Sequence, residues 1–441
     1  MNRVTSLALR TCVFIALTGC TGEPGGGGVN IELDTTSTSA PVVSTSTSVT
    51  TTSTTITTTT TLPSYHVTGR VTDEDGNPVA RAAVSMGGDA TTTGPDGWFA
   101  FDITDPAPMT ISKPGWSSVE VDYSESVDFY EAAISPLTVR GLRVSPETAG
   151  DDTRFDRLLA LARDTAVNSL VFDTKQEGGL VVYDTGVEDA HQIGAVTPHY
   201  DPVARIDRAH AEGLYTITRI VAFDDAFRAG AFGEERLIGG WLSPTSDGAR
   251  SYVLSLAEEA CQMGFDEIQF DYIRYPSGST ATRTGQLDLP QSERVDAIAA
   301  FLAEARSLLN PMGCAVGGDV FGIVMSVDDD QGLGQRPEEL SAQLDVLSPM
   351  IYPSHYSDGW LGFDDPNDHP YDVTHDAISD ALPRLAEGST LRPWLQAFWW
   401  TNAQIRSSIQ AAEDQGVGWI LWNVLSNFDV AALPTDAEVG S

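Results

Sequence analysis

Acids, cations and aromatic rings recur just past short apolar runs in the second two-thirds of this 441-residue chain. One run reads Phe265-Asp-Glu-Ile-Gln-Phe-Asp271-Tyr-Ile-Arg274, and the next reads Val316-Gly-Gly-Asp319. Earlier come Val171-Phe-Asp173-Thr-Lys175 and Arg219, and later Tyr352-Pro-Ser-His355-Tyr356, Gln396-Ala-Phe-Trp399-Trp400 and Trp419-Ile-Leu-Trp422. Two carboxylates on neighbouring elements can supply an acid and a nucleophile or base, and flat rings stack on pyranose faces. That combination suits cleavage of a glycosidic bond, which needs acids and water and no cofactor. Zinc lacks a His cluster to hold it, and no metal site is expected. No Gly-rich phosphate loop follows any run, so nucleotide binding lacks support.

Each residue also has a plainer reading. Asp271 would pair structurally with Arg274, except that an acid ending an apolar strand inside a fold is costly to desolvate. Asp319 follows two glycines, which are expected to leave open space above it. Asp173 and Lys175 are weighed equally as sugar ligands and as a structural ion pair. Arg219 orients a carboxylate or touches substrate. His355 is more often a hydrogen-bonded loop residue than a catalyst, and one of Trp399 and Trp400 must point away from any shared site. Asp328-Asp329-Asp330 reads as a solvated loop. Asp73-Glu-Asp75-Gly76 reads as a turn, since it lacks the later ligands of a calcium loop.

The elements that position these residues alternate from residue 137 onward. Candidate strands are Val139–Val144, Ser169–Asp173, Tyr215–Val221, Glu267–Asp271, Ala315–Phe321, Val346–Tyr352, Leu391–Ala397 and Gly418–Trp422. Amphipathic stretches such as Thr153–Thr165, Ala249–Met263, Glu293–Leu309 and Asn402–Gln415 lie between them. This pattern predicts a (β/α)8 TIM barrel over residues 137–433, with its site at the C-terminal ends of the strands. An open doubly wound sheet is the alternative. Residues 64–135 instead show short strands split by Gly, Pro and Asp turns, as in a small β-sandwich.

The remaining sequence concerns location. Residues 1–19 have a basic start and a short apolar run, as in a secretory signal, and Leu17-Thr18-Gly19-Cys20 is similar to a bacterial lipobox. Lipid on Cys20 would anchor the protein to the membrane outside the cytoplasm. Residues 20–63 are Gly-rich and then Ser/Thr-rich, with 21 Ser or Thr in positions 35–61, and are expected to form a disordered linker. A net charge of −37 repels phosphate backbones and argues against nucleic-acid partners. Cys261 and Cys314 remain after the leader, either as a disulfide or as two buried thiols.

Two resemblances add to this reading. The run "VTGRVTDEDGNPVARAAVSM…TTTGPDGWFAF" resembles the carboxypeptidase regulatory-like domain, a non-catalytic prealbumin-like sandwich. "FDEIQFDYIRYPSG", "GGDVFGIV", "SPMIYPSHY" and "LRPWLQAFWW" resemble the glycoside hydrolase-type domain family DUF4015, over about residues 138–430. That resemblance implies a glycosidase-type TIM barrel. The fourth strand is also similar to the chitinase pattern "FDGIDIDWE", but Gln269 replaces one acid and Ile273 stands at the catalytic Glu. In the α-amylase-like group an Asp ending the fourth strand is the nucleophile, and Asp271 fits that position.

The expectation is therefore an extracytoplasmic, lipid-anchored glycoside hydrolase acting on a carbohydrate. Asp271 is the expected nucleophile and Asp319 the expected acid. Arg219 and Arg274 would keep Asp271 ionised. Asp173, Lys175 and Gln396 would bind hydroxyls, and Tyr352, His355, Tyr356, Trp399 and Trp422 would line the substrate. The alternative is a glycan-binding envelope protein whose barrel has lost catalysis.

Overall fold

The computed structural model describes residues 64–439. The leader, Cys20 and the linker lie outside the described residues. The first described part holds seven strands: β1 (Tyr65–Thr72), β2 (Ala83–Met86), β3 (Asp89–Thr92), β4 (Trp98–Ile103), β5 (Met109–Ser112), β6 (Val119–Val121) and β7 (Tyr130–Ala133). They form two small sheets, ordered β4-β1-β7 and β3-β2-β5-β6. Alternate residues of both sheets, including Val67, Val71 and Phe99 from one and Val84, Met109 and Ile111 from the other, bury into one shared core. Asp73 accepts backbone N–H groups of Asp75 and Asn77 at 3.0 and 2.7 Å, so its loop is a self-bonded Asx turn.

The second part is a closed parallel barrel. Its strands are β8 (Arg140–Val144), β9 (Ser169–Lys175), β10 (Tyr215–Val221), β13 (Glu267–Asp271), β14 (Ala315–Phe321), β15 (Val346–Ile351), the split pair β16 (Thr390–Leu391) and β17 (Trp394–Gln396), and β18 (Trp419–Trp422). A short hairpin, β11 (Arg236–Ile238) and β12 (Trp241–Leu242), is inserted after β10. Pairing of β14 with β15 and of β18 with β8 closes the ring. The eight apolar runs thus become the eight staves, the seventh interrupted at Arg392-Pro393, where proline has no N–H for the ladder. Helices start where the sequence supplies caps: Asp151, Asp201 and Ser246 each accept an N–H from the first turn, and Thr401 with Gln404 forms a reciprocal capping box.

Two cores result, one on each side of the strands. Phe172, Ile268, Phe270, Phe301 and Leu347 fill the space between barrel and helices. Val171, Ile217, Tyr352, Trp394 and Ile420 fill the barrel itself. At the floor Glu267 receives the Arg392 guanidinium at 2.9 Å with both groups buried, a pair whose breaking costs about 3–5 kcal/mol. Cys261, in the helix Asp247–Gln262, and Cys314, just before β14, form a disulfide.

Two expectations are corrected. The glycines before Asp319 do not leave open space. A Cβ on Gly317 would lie 2.7 Å from Glu267 Oε1, and one on Gly318 would lie 2.8 and 2.9 Å from Leu344 and Ile273. They are glycines because neighbouring side chains already occupy that volume. Nor is the acidic run wholly solvated. Asp330 is buried, holds Arg294 through bonds of 2.6 and 2.7 Å, and accepts the N–H groups of Gly332 and Gly334.

Candidate active site

Strand alternation turns Asp173, Arg219, Asp271 and Asp319 into the barrel, one from each of four consecutive staves. Arg219, 1% exposed, joins Asp173 to Asp271. Its Nε and Nη2 donate to Asp271 Oδ2 at 2.9 and 2.6 Å, its Nη1 donates to Asp173 Oδ1 at 3.3 Å, and its Nη2 also reaches Glu177. Burial alone would lower the Arg219 pKa, but Glu177, Asp271 and Asp173 together hold it firmly charged. Asp271 Oδ1 accepts the N–H of Tyr272 at 2.6 Å, so both of its oxygens are held as acceptors. Asp173 is also bonded to Arg143 of β8.

Asp319 sits in a different environment. It is 1% exposed and its Oδ1 accepts the indole N–H of Trp394 at 2.9 Å. Its Oδ2 is buried with no hydrogen-bond partner. Burial, and then the charge of Asp271, push its carboxyl well above the usual carboxylate range, against the opposing pull of Arg219 and Trp394. The two acids thus differ in surroundings: both oxygens of Asp271 accept hydrogen bonds from Arg219 and the Tyr272 N–H, whereas Asp319 favours its protonated form.

The aromatic residues separate in the same way. Tyr352 stays beside the acids, and burial followed by the charges of Asp271 and Asp319 strongly opposes ionisation of its phenol. Its ring meets His355 and Phe398 edge-on at 5.4 and 5.5 Å. Trp422 packs edge-on against Trp394 at 5.3 Å, and the guanidinium carbons of Arg143 and Arg219 lie 4.4 and 4.9 Å from its ring centre. Trp399 is 84% exposed, with a left-handed backbone at φ 61°. Trp400 turns into the packing between barrel and helices and donates to Asn367 at 2.8 Å.

Four other predicted residues depart from their expected roles. Lys175 is buried and directs its ammonium to Val221 O at 2.7 Å and Asp225 at 3.0 Å, so the expected pairing with Asp173 is replaced. Gln396 is fully buried, accepting from Ser354 and donating to Phe398 O. Tyr356 packs outside the barrel, near Asp376 and Asp380 of the helix Pro370–Ala381. Arg274 does not bond to Asp271; it donates to Tyr275 O at 3.2 Å and lies among rings.

Sequence reading missed Arg143, Glu177 and Trp394. Arg143 follows Gly141 by two on the first stave, so alternation pointed it inward. Trp394 was hidden in an aromatic-rich strand where ring and packing roles look alike. Glu177 lies beyond its strand, and only the fold brings it to Arg219. Its side chain is 42% exposed, so solvent screens that pair. Among the described residues no cluster of three or more metal-ligating side chains occurs.

With this geometry in view, residues 141–428 match the family model DUF4015, described as "Putative glycosyl hydrolase domain". The chain belongs to that family. A search of curated proteins finds no match. Among solved structures, a hypothetical protein from Ruminiclostridium thermocellum is 31% identical, with 41% of this chain and 97% of that chain covered and a TM-score of 0.36. The endo-1,4-beta-mannanase from Rhizomucor miehei is 11% identical, covering 69% of this chain and 95% of that one, with a TM-score of 0.48. The glycoside hydrolase domain of PelA from Pseudomonas aeruginosa is 12% identical, covering 66% and 96%, with a TM-score of 0.40. The family membership makes this a glycosidase-type domain.

Proposed function

We propose that this protein is an extracytoplasmic glycoside hydrolase in which Asp271 is the nucleophile and Asp319 the general acid. The observation that carries the assignment is the opposite treatment of the two carboxyls. Arg219 and the Tyr272 N–H donate to the two oxygens of Asp271. Burial and the Asp271 charge favour the acid form of Asp319. Because Trp394 engages Oδ1 as an acceptor, the proton of Asp319 belongs on Oδ2, the oxygen without a protein partner. A carboxyl that favours its protonated form beside one whose oxygens both accept hydrogen bonds is the arrangement an acid and a nucleophile require.

In this mechanism Asp319 gives its proton to the glycosidic oxygen as that bond breaks. Asp271 attacks the anomeric carbon and forms a glycosyl ester. Water, deprotonated by Asp319, then releases the sugar and restores both groups. Tyr352 flanks both acids, and the exposed ring of Trp399 offers a sugar-stacking face at the loop after the seventh stave. Asp173 and Arg143 position Arg219. Cys20 would carry a lipid that holds the enzyme at the membrane outside the cytoplasm, with the Ser/Thr-rich linker as spacer.

A second reading, a glycan-binding barrel without catalysis, draws on the burial of both acids, 4% and 1% exposed. One experiment separates the two. The protein is incubated with a panel of bacterial and plant polysaccharides, beside Asp271→Asn and Asp319→Asn, and new reducing ends are measured. Release by the wild type and loss in both folded variants supports the hydrolase. Binding that is equal in all three proteins, without release, supports the glycan-binding reading.

A further inference from the structure

Seven arginines are buried in the described residues, and six of them pair with a carboxylate. Arg274 is the exception: it is 4% exposed and forms no ion pair among the described residues. Its Nη1 donates to Tyr275 O at 3.2 Å, while its Nε is buried without a partner. Around it stand Trp241, Tyr272 and Phe321, with ring centres 4.8, 4.7 and 4.6 Å from the guanidinium carbon. All three rings are partly exposed. They attract the cation, and the Tyr272 hydroxyl accepts from it, but Nε is left without an acceptor.

The nearby acids do not fill that need. Asp271 is committed to Arg219 and the Tyr272 N–H. Asp224 is pushed up by burial, which disfavours its charged form. Burial likewise pulls the Arg274 guanidinium down, the direction expected of a cation still lacking a counter-ion. Yet Arg274 is only three residues past the proposed nucleophile, on the loop at the C-terminal end of β13, and its charge acts on Asp271.

We propose that Arg274, within the cage of Trp241, Tyr272 and Phe321, is the subsite for a carboxylate-bearing sugar beside the bond to be cut. The proposal rests on the glycosidase reading and names its substrate class as a uronic-acid-containing glycan. A guanidinium presents two N–H groups side by side to a carboxylate, and Nε with its neighbouring Nη2 provides that fork. The aromatic walls suit the apolar face of the same sugar. One guanidinium charge matches a monoanionic carboxylate better than a phosphate, whose second charge the nearby Asp271 would repel.

The test uses the full-length protein and oligosaccharides of galacturonate, glucuronate and mannuronate, each compared with its own methyl ester. Calorimetry gives affinities, and reducing-end release gives cleavage, for wild type, Arg274→Met, Arg274→Lys and Asp271→Asn. At least one acid should bind about tenfold or more tighter than its ester. That ratio should fall to near one in Arg274→Met and return in part in Arg274→Lys. Arg274→Met should not lower Tm, because it removes an unpaired buried charge. Equal binding of acid and ester across the panel, no binding of any acid, or an unchanged ratio in Arg274→Met overturns the subsite. Arg274-dependent binding without Asp271-dependent cleavage would instead retain the subsite and remove the hydrolase. Asp271-dependent cleavage of a neutral glycan alone would do the reverse.

Discussion

The indole N–H of Trp394 donates to Oδ1 of Asp319 at 2.9 Å, from a stave two positions away around the barrel. The bond assigns that oxygen as acceptor and leaves the proton to Oδ2. It also ties the acid to the barrel-filling layer, since the edge of Trp394 meets Trp422, whose face lies against Arg143 and Arg219. One aromatic pair thus bridges the surroundings of the proposed acid and of the nucleophile.

Substituting the two acids should have opposite effects on stability. Asp319→Asn resembles the protonated acid and should keep or raise Tm at pH 7. Its folded pKa lies above the unfolded value, so its stabilising contribution is complete below about pH 4 and lost as pH rises through the folded pKa. Asp271→Asn removes an anionic partner of Arg219 and should cost about 1–3 kcal/mol. Thermal melts at pH 4 and 7 check both, and a larger loss for Asp319→Asn at pH 7 would contradict the assignment.

Activity should follow the same division. Asp319→Asn should lose about 10²–10⁴-fold on natural glycans, and much less on an activated aryl glycoside whose leaving group needs no proton. Asp271→Asn should lose activity on both. In the wild type, kcat/KM should decline on the alkaline side as Asp319 gives up its proton. Equal losses for Asp319→Asn on the two substrates would remove it as the acid.

Trp399 is exposed and held at a positive φ, so it contributes little packing to the fold. Trp399→Ala should leave Tm within about 1 °C while weakening glycan affinity about tenfold, the scale of one aromatic stacking contact. A titration followed by calorimetry reads the second effect. Unchanged affinity would exclude the ring from the binding surface.

Lys113 gives a pH signature away from the site. It is buried beside Trp116, and burial, followed by the charge of Arg81, pushes its pKa down to about 8. The folded protein therefore releases this proton before the unfolded chain does, near pH 10.4. The penalty is complete below about pH 8 and fades as pH rises from there to about 10.4, so this term makes stability increase across that window. Lys113→Met should stabilise by about 1–3 kcal/mol at pH 7 and flatten the rise, as urea titrations at pH 7 and 10 would show.

The Cys261–Cys314 bridge spans 53 residues. The double variant Cys261→Ala/Cys314→Ala should lose about 2–4 kcal/mol, and reductant should lower the Tm of the wild type only. Equal Tm with and without reductant in the wild type would place no stabilisation in the bridge.

The order of elements was legible because it is a local property. Each stave is a short apolar run, each helix carries its own period and cap, and the candidate strands agree with the observed ones to within a residue or two. Asp271 and Asp319 were visible for the same reason: an acid within an apolar strand is conspicuous without coordinates. What each polar residue touches was not local. Lys175 and Asp173 are two residues apart in sequence, yet one pairs with Asp225 and the other with Arg143 and Arg219. Tyr356 and Tyr352 are four apart, yet only Tyr352 stays by the acids. By itself the sequence determined the order of strands and helices and, through period-two alternation, marked Asp173, Arg219, Asp271 and Asp319 as facing the barrel interior. Only the tertiary structure decided which cations the acids claim and which arginine they leave unpaired, because closing the barrel sets charges side by side that are tens of residues apart along the chain.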